Sequence, residues 1–136
     1  MAEGGRHVFV YGTLLKRAPN HARFCGDALT VEPARTAGRL YHLPAGFPIM
    51  IEAADGTVCG EAMTFPDLGS TMARLDVLEG YRPEDPERSL YIRRVQPVTL
   101  LCTGERVPAY GYVWQRPLPR GAVFISSGRW TPGEAR

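Results

Sequence analysis

Apolar and polar residues alternate over several short segments, and this two-residue period predicts a protein built mainly of β-strands. The first strand is predicted at residues 7–11, where successive side chains point to opposite faces until Gly12 interrupts the pattern. Further strands are predicted over residues 36–42, 48–53, 58–65, 91–95, 98–102 and 106–115. Many strands and few helices favour an α+β fold, a small mixed and mainly antiparallel β-barrel.

Two turns containing glycine are predicted to connect neighbouring strands. Asp55-Gly56 is predicted to form a tight hairpin turn that leads into residues 58–65, because this pair of residues tolerates positive φ. Thr103-Gly104-Glu105 is predicted to join the last two strands. The chain has no internal repeat and no low-complexity linker, so a single domain over residues 1–136 is expected.

The clearest helical segment covers residues 68–79. Asp67 or Ser70 is a candidate N-cap of this helix, and Gly80 is a candidate C-terminal stop. A shorter helical turn is predicted to begin after Asn20, which would cap it, and to continue through Cys25.

The long helix places a carboxylate on its apolar face. At 100° per residue, one narrow sector of the helix contains Leu68, Met72, Leu75 and Glu79. Burial and the negative end of the helix both disfavour an ionised carboxylate, which would raise the pKa of Glu79 and suit it to proton transfer near neutral pH. The spacing also allows a structural role, in which Glu79 reaches solvent or pairs with Arg82, Arg93 or Arg94.

A second candidate site is the turn Tyr11-Gly12-Thr13-Leu14, which follows the first strand. Such a turn can direct successive backbone N–H groups into one concavity and bind a carboxylate or a developing oxyanion. A side chain at position 12 would crowd a substrate or require a φ that only glycine adopts readily. The segment matches neither the phosphate loop nor GxGxxG, and a purely structural role as a strand end stays open.

Composition and charge exclude several classes of protein. Apolar residues make up 44% and charged residues 22% of the chain, as in ordinary globular domains. The formal net charge is +2 and the basic residues are dispersed, so no nucleic-acid partner is expected. No apolar stretch of about 18 residues and no signal-like N-terminus occurs, so we expect no membrane association and a cytoplasmic location.

The spacing of cysteine and histidine gives no indication of a metal site or a disulfide framework. Cys25, Cys59 and Cys102 are far apart and form no CxxC pair, so they are expected to be reduced. The chain also lacks HxH and HExxH motifs, and surface or structural roles are expected for His7, His21 and His42. No metal or cofactor is therefore expected.

Several motifs occur in an informative order along nearly the whole chain. The four clearest are VFVYGTL at residues 8–14, PNH at 19–21, LDVLEGY at 75–81 and YIRR at 91–94. They are accompanied by LY at 40–41, GFP at 46–48, YGYVW at 110–114 and SGRW at 127–130. Together these motifs resemble the gamma-glutamylcyclotransferase-like (avirulence-induced-gene-like) family.

This resemblance implies a gamma-glutamylcyclotransferase-like fold and a function for both candidate sites. It implies that Tyr11, Gly12, Thr13 and Leu14 hold the γ-glutamyl group of a small-molecule substrate and that Glu79 is the general acid/base. The implied enzyme needs no cofactor and cyclises a γ-glutamyl amine or peptide to 5-oxoproline with release of the free amine. The alternative that stays open is a non-catalytic module that binds a γ-glutamyl metabolite.

The chain departs from the family pattern at two positions. Leu15 separates the YGTL motif from the Lys16-Arg17 pair that often follows it directly, and Arg129 replaces an aspartate that is common in the terminal motif. These departures raise the question of whether the loop after the turn and the closure over the site are altered. Neither the leaving amine nor the oligomeric state is indicated by the sequence.

Two further groups of residues have alternative interpretations. Arg93 and Arg94 point to opposite faces of their strand. In one interpretation, one of them binds the substrate α-carboxylate. In the other, they face solvent or form structural ion pairs. Tyr110, Tyr112 and Trp114 lie on one side of a strand, as part of the core or as the wall of a pocket.

Overall fold

The computed structural model describes residues 6–131. In chain order its elements are β1 (His7–Val10), α1 (His21–Cys25), β2 (Thr30–Ala37), β3 (Arg39–His42), β4 (Pro48–Ile51), β5 (Thr57–Thr64), α2 (Leu68–Glu79), a 3₁₀ helix (Pro86–Arg88), β6 (Tyr91–Leu100), β7 (Arg106–Trp114) and β8 (Val123–Phe124).

Five strands form a closed barrel in the order β1-β5-β2-β6-β7. The β1–β7 pair that closes the barrel is parallel, and the other neighbouring strands in it are antiparallel. Closure removes the exposed strand edges that an open sheet would leave. The predicted fold class, a small α+β fold with a mixed and mainly antiparallel barrel, is confirmed.

The three remaining strands form a second sheet in the order β4-β3-β8. The predicted strand at residues 36–42 is in fact two strands, because the chain bends at Gly38 and passes from the barrel into this sheet. Gly38 has a φ of +155°, a region that side chains disfavour, and its own N–H donates to Gly56 O. Glycine at this position therefore permits the change of sheet.

The predicted hairpin at Asp55-Gly56 is wrong, because the strands on either side of it do not pair with each other. Strand β4 pairs with β3, whereas β5 pairs with β1 and β2. Ala37, the last residue of β2, lies opposite Thr57, the first residue of β5. The chain therefore leaves the barrel after β2 and re-enters it beside the point where it left. Residues 52–56 are the return path between the two sheets.

The segments predicted as separate strands at residues 91–95 and 98–102 form one strand, β6, which ends at Leu100. Pro97 lies inside β6 and opposite Pro108 of β7. A proline lacks the N–H that a ladder requires, but β6 pairs with β2 only through Thr99 and Leu100, away from the proline. The strand is therefore continuous through Pro97.

Helix α2 has the predicted bounds and caps. The Asp67 carboxylate accepts a hydrogen bond from Ser70 N at 3.1 Å, and Gly80 ends the helix in the left-handed conformation with a φ of 71°. The buried side of the helix includes Met72 and Leu75 within the common core. No helix in residues 6–131 has the length and apolar character needed to cross a membrane.

Candidate active site

A cavity of about 410 Å³ lies between the turn that follows β1 and the C-terminal end of α2. The structure brings together all five residues that the sequence singled out, since the lining of this cavity includes Tyr11, Gly12, Thr13, Leu14 and Glu79. The remaining lining residues are Phe9, Val10, Asn20, Phe47, Pro48, Leu78, Gly80, Leu90, Tyr91 and Tyr112.

The turn has its carbonyl groups engaged and its N–H groups free. The carbonyls of Gly12, Thr13 and Leu14 accept hydrogen bonds from Leu15 N at 3.0 Å, Asn20 N at 2.9 Å and His21 Nδ1 at 3.0 Å, respectively. The backbone N–H groups of the same three residues donate to no acceptor within residues 6–131. Three successive free donors at a cavity can bind an oxyanion or a carboxylate.

Asn20 supports the turn instead of capping the helix that follows it. It occupies the N-cap position of α1, but its side chain makes no capping hydrogen bond. The Asn20 amide donates to Thr13 Oγ1 at 3.1 Å. The prediction that the Asn20 side chain caps α1 is therefore wrong, because its amide group hydrogen-bonds to the Thr13 hydroxyl instead.

Gly12 is required by a close neighbour and not by its own φ. The expectation of a φ that only glycine adopts is wrong, because Gly12 is absent from the glycines with positive φ in the described part of the chain. A Cβ atom at this position would lie 2.5 Å from Pro48 Cγ and 2.9 Å from Pro48 Cδ. The turn can approach β4 this closely only without a side chain.

Glu79, the last residue of α2, presents its carboxyl group to the cavity without a partner. Within residues 6–131 it makes no hydrogen bond and no ion pair, and two of the three arginines proposed as partners, Arg93 and Arg94, pair with Asp76 and Glu52 instead. Although the residue as a whole is only half-buried, protein encloses the carboxyl group. This burial raises the pKa of Glu79 to about 7, so it exchanges a proton near neutral pH.

Three tyrosines form much of the remaining polar wall. Burial is the main cause that raises the pKa of Tyr11 and of Tyr91 far above the ordinary value, and the nearby Glu79 charge adds to it in both. Burial and the hydrogen bond to Asp76 raise the pKa of Tyr112. All three phenols therefore stay protonated, and each donates its proton within the protein: Tyr11 to Tyr112 O, Tyr91 to Pro48 O and Tyr112 to Asp76.

Asp76 is a site residue that sequence reasoning missed. Its carboxylate is buried and accepts hydrogen bonds from Tyr112 Oη at 2.6 Å and from Arg93 Nη1 at 2.8 Å. The sequence did contain an indication, because Asp76 lies one turn before Glu79 on the packing side of the helix. A buried acidic residue at such a position requires a hydrogen-bonding or charged partner. Asp76 is thus satisfied by two donors, whereas Glu79 faces the cavity unpaired.

The two arginines of β6 are held in ion pairs. Arg93 pairs with Asp76 and also lies over the rings of Tyr81 and Tyr110, at 5.5 and 5.7 Å from the centroids. Arg94 pairs with Glu52 at 3.2 Å. Neither arginine lines the cavity, so the ion-pair interpretation holds and neither is placed to bind a substrate carboxylate there.

Both departures from the family pattern lie outside this cavity. Leu15 and Arg129 line a neighbouring cavity of about 420 Å³, together with Lys16, Arg17 and Trp130. Arg17 donates to Trp130 O at 3.2 Å, and Trp130 Nε1 donates to the buried His42 at 2.9 Å. The altered loop and the terminal motif thus contact each other outside the cavity that the turn at residues 11–14 lines.

Possible metal ligands are not clustered in the part of the chain that the structure covers. No group of three or more His, Cys, Asp or Glu residues is arranged to hold a metal ion within residues 6–131. The cysteines Cys25, Cys59 and Cys102 are free thiols. Burial raises the pKa of Cys25 to about 11, which leaves it protonated and unreactive.

A known protein family matches almost the whole chain. The model of the family described as "Gamma-glutamyl cyclotransferase, AIG2-like" matches residues 8–132. No curated protein sequence matches the chain significantly.

Solved structures share the fold. YkqA from Bacillus subtilis is 26% identical with a TM-score of 0.66, and the match covers 92% of this chain but only 39% of YkqA. A protein from Arabidopsis thaliana with a solution structure is 25% identical with a TM-score of 0.64, over 93% of this chain and 69% of that one. An AIG2-like protein from Mus musculus is 22% identical with a TM-score of 0.66, over 96% and 98%, respectively, which shows the fold alone.

Proposed function

Because the chain belongs to the gamma-glutamyl cyclotransferase, AIG2-like family, we propose that it is an enzyme that converts a γ-glutamyl amine or peptide into 5-oxoproline and a free amine. One observation carries the proposal. An unpaired carboxyl group with a pKa of about 7, that of Glu79, shares a cavity with three free backbone N–H groups of the turn at residues 12–14. Proton transfer and oxyanion binding are the two functions that this reaction needs.

The substrate carries its own nucleophile. The α-amino nitrogen of a γ-glutamyl unit can reach the γ-carbonyl carbon and close a five-membered ring. A well-oriented intramolecular attack of this kind can lower the barrier by about 7 to 11 kcal/mol relative to a bimolecular one. The protein therefore needs mainly to fold the substrate and to move protons.

Glu79 moves the protons in this mechanism. As a carboxylate it takes a proton from the α-ammonium group, whose nitrogen then forms a bond to the γ-carbon. The amide C–N bond breaks as Glu79 delivers that proton to the departing nitrogen. The ring nitrogen loses its second proton to solvent, from which the released amine takes one, so the overall charge and proton count balance. A pKa of about 7 lets Glu79 serve in both directions.

The turn binds the substrate oxygens in the proposed complex. The described residues that line the cavity include no lysine, arginine or histidine. Negative charge on the substrate is therefore met by neutral donors, above all the free N–H groups of Gly12, Thr13 and Leu14. Such fixed dipoles stabilise charge that develops on the γ-carbonyl oxygen because they need no reorientation during the reaction.

The state of Glu79 also favours catalysis over binding alone. A carboxyl group that is enclosed by protein and unpaired lowers the stability of the fold. On the same helix the Asp76 carboxylate has two donors, Arg93 and Tyr112, whereas Glu79 has none within the described residues. A module that only binds a γ-glutamyl metabolite could pair Glu79 with the ammonium group of its ligand, but a carboxylate of ordinary pKa would serve it best. A proton carrier instead requires a group that both takes and releases a proton near neutral pH, as a pKa of about 7 allows.

Product analysis tests this function. The purified protein is incubated with a panel of γ-glutamyl amines and peptides, and 5-oxoproline and the free amine are quantified by mass spectrometry. We expect the two products in equal amounts with the wild type and with Glu84→Gln, which changes an exposed residue, but not with Glu79→Gln. Binding of a panel member without any 5-oxoproline would support the non-catalytic module instead.

A further inference from the structure

Two leucine side chains, those of Leu78 and Leu90, line the cavity together with Glu79. Leu78 precedes Glu79 in α2. Leu90 precedes Tyr91, whose pKa is raised in part by the nearby charge of Glu79. Leu78 is half-buried and Leu90 is 51% exposed, although both line the cavity. These two leucines thus present apolar surface to any molecule that fills the cavity.

Charged side chains are almost absent from the same wall. Of the described residues that line the cavity, Glu79 alone can ionise near neutral pH, since the tyrosine pKa values are raised. Besides Glu79, the charged groups that affect the pKa of the lining residue Tyr112 are Asp76 and Arg93, and these two are paired with each other. The wall offers no counterion to a second charge on the substrate.

The chemistry places the leaving group against this wall. If Glu79 donates a proton to the departing nitrogen, that nitrogen lies about 3 Å from the Glu79 carboxyl group. The γ-glutamyl end lies towards the turn at residues 12–14, so the substituent on the nitrogen extends over the neighbours of Glu79. Leu78 directly precedes Glu79 in the chain, Leu90 directly precedes Tyr91, whose pKa the Glu79 charge raises, and both leucines line the cavity.

We propose that the amine released by this enzyme is apolar, an alkyl or aryl amine with no second charged group. This inference rests on the proposed function, because it concerns the leaving group of that reaction. A methylene group that packs on the two leucines is removed from water favourably, whereas an ammonium or carboxylate group there loses hydration without gaining a partner. Glu79 cannot compensate a second ammonium group while it carries the proton for the departing nitrogen.

A pair of substrates of equal size tests the inference. The amides of the glutamate γ-carboxyl group with n-pentylamine and with putrescine have the same number of heavy atoms and differ by a terminal methyl group against a terminal ammonium group. We expect kcat/KM, measured as 5-oxoproline release, to be at least about 10-fold higher for the pentylamine derivative.

Two variants locate this preference at Leu90. Leu90→Asp places a carboxylate on the leaving-group wall, so kcat/KM should fall for the pentylamine derivative and rise for the putrescine derivative. Val77→Asp makes the same charge change at an 82% exposed position of α2 that does not line the cavity, and the preference should stay as in the wild type.

The outcomes separate this inference from the proposed function. Equal kcat/KM for the two substrates, or an equal response to Leu90→Asp and Val77→Asp, overturns the apolar leaving group while leaving the cyclisation intact. Absence of 5-oxoproline from both substrates and from the wider panel overturns the proposed function and this inference with it.

Discussion

Tyr112 donates its phenol hydrogen to Asp76 across 2.6 Å and accepts, at its own backbone oxygen, the phenol hydrogen of Tyr11 at 2.8 Å. The first hydrogen bond ties β7 to α2 one turn before Glu79, and the second ties β7 to the turn that follows β1. A single residue of the barrel therefore fixes both halves of the cavity. Their relative position depends on a rigid strand and not on the loops.

Removing the Tyr112 hydroxyl tests this link. Tyr112→Phe should lower the free energy of unfolding by about 1 to 3 kcal/mol, since the buried Asp76 carboxylate loses one of its donors. Denaturant unfolding measures the loss. Tyr110→Phe is the control, because the Tyr110 hydroxyl makes no hydrogen bond within the described residues, and it should change stability by less than about 0.5 kcal/mol. Equal losses in both variants would show that the Tyr112–Asp76 contact contributes nothing.

Glu79→Gln should separate turnover from binding. The change keeps the size of the side chain but removes its ability to accept a proton, so kcat should fall by about 10² to 10⁴ while the affinity for a γ-glutamyl ligand is kept. Steady-state kinetics and calorimetric titration measure the two quantities. A variant that cyclises at the wild-type rate and melts at a lower temperature would make Glu79 a structural residue.

The stability of the protein should also depend on Glu79 in a defined pH range. Its pKa is about 7 in the folded state against an ordinary value of 4.5, so on raising the pH the unfolded chain releases the proton first. Stability contributed by this group is full below pH 4.5 and is lost as the pH rises through 7. The loss should be about 1 to 3 kcal/mol, with solvent at the open cavity reducing the upper value.

Thermal or chemical unfolding of the wild type and Glu79→Gln across this range measures the effect. The stability of the variant relative to the wild type should increase between pH 4.5 and 7. Glu84→Gln, at an exposed position, should show no such trend. A constant difference between Glu79→Gln and the wild type would mean that the pKa of Glu79 is not raised.

The pH dependence of turnover should report the same group. Glu79 must be ionised to take the proton from the α-ammonium group, so kcat/KM should increase with pH along a limb whose midpoint is near 7. Initial rates between pH 5 and 9, with a γ-glutamyl amide in a buffer of constant ionic strength, define the limb. A midpoint near the ordinary pKa of glutamate would contradict enclosure of the carboxyl group.

Gly12→Ala should destabilise the protein through Pro48. The added Cβ would lie 2.5 Å from Pro48 Cγ, and displacement of the ring should cost about 1 to 3 kcal/mol. Combining it with Pro48→Ala, which removes the clashing atoms, should recover part of that cost in a double-mutant cycle. Gly69→Ala is the opposite control, because its Cβ meets only Asp67 Oδ1 at 3.7 Å, and it should stabilise α2 by up to about 1 kcal/mol.

Local patterns determined the elements that depend on neighbouring residues. The place of Glu79 on the apolar face of α2 follows from a 3.6-residue period, and the ends of the helix follow from the capping preferences of Asp67 and Gly80. The turn at residues 11–14 follows from a strand that ends at a glycine, and the resemblance in motifs led to the barrel and the family. The helix and the turn involve residues a few positions apart, whose physical preferences are visible in the sequence, whereas the family resemblance depends on motifs along nearly the whole chain.

Tertiary structure alone decided which distant segments meet. Asp55-Gly56 has the local chemistry of a hairpin turn, yet the long pairing of β5 with β2 outweighs that preference and makes it a return path between sheets. The hydrogen bond between Asp76 and Tyr112 joins residues 36 positions apart, and no periodicity reports such a contact. The free N–H groups of the turn and the raised pKa of the unpaired Glu79 also depend on the tertiary structure. Burial and hydrogen-bond partners are set by the packing of the whole chain.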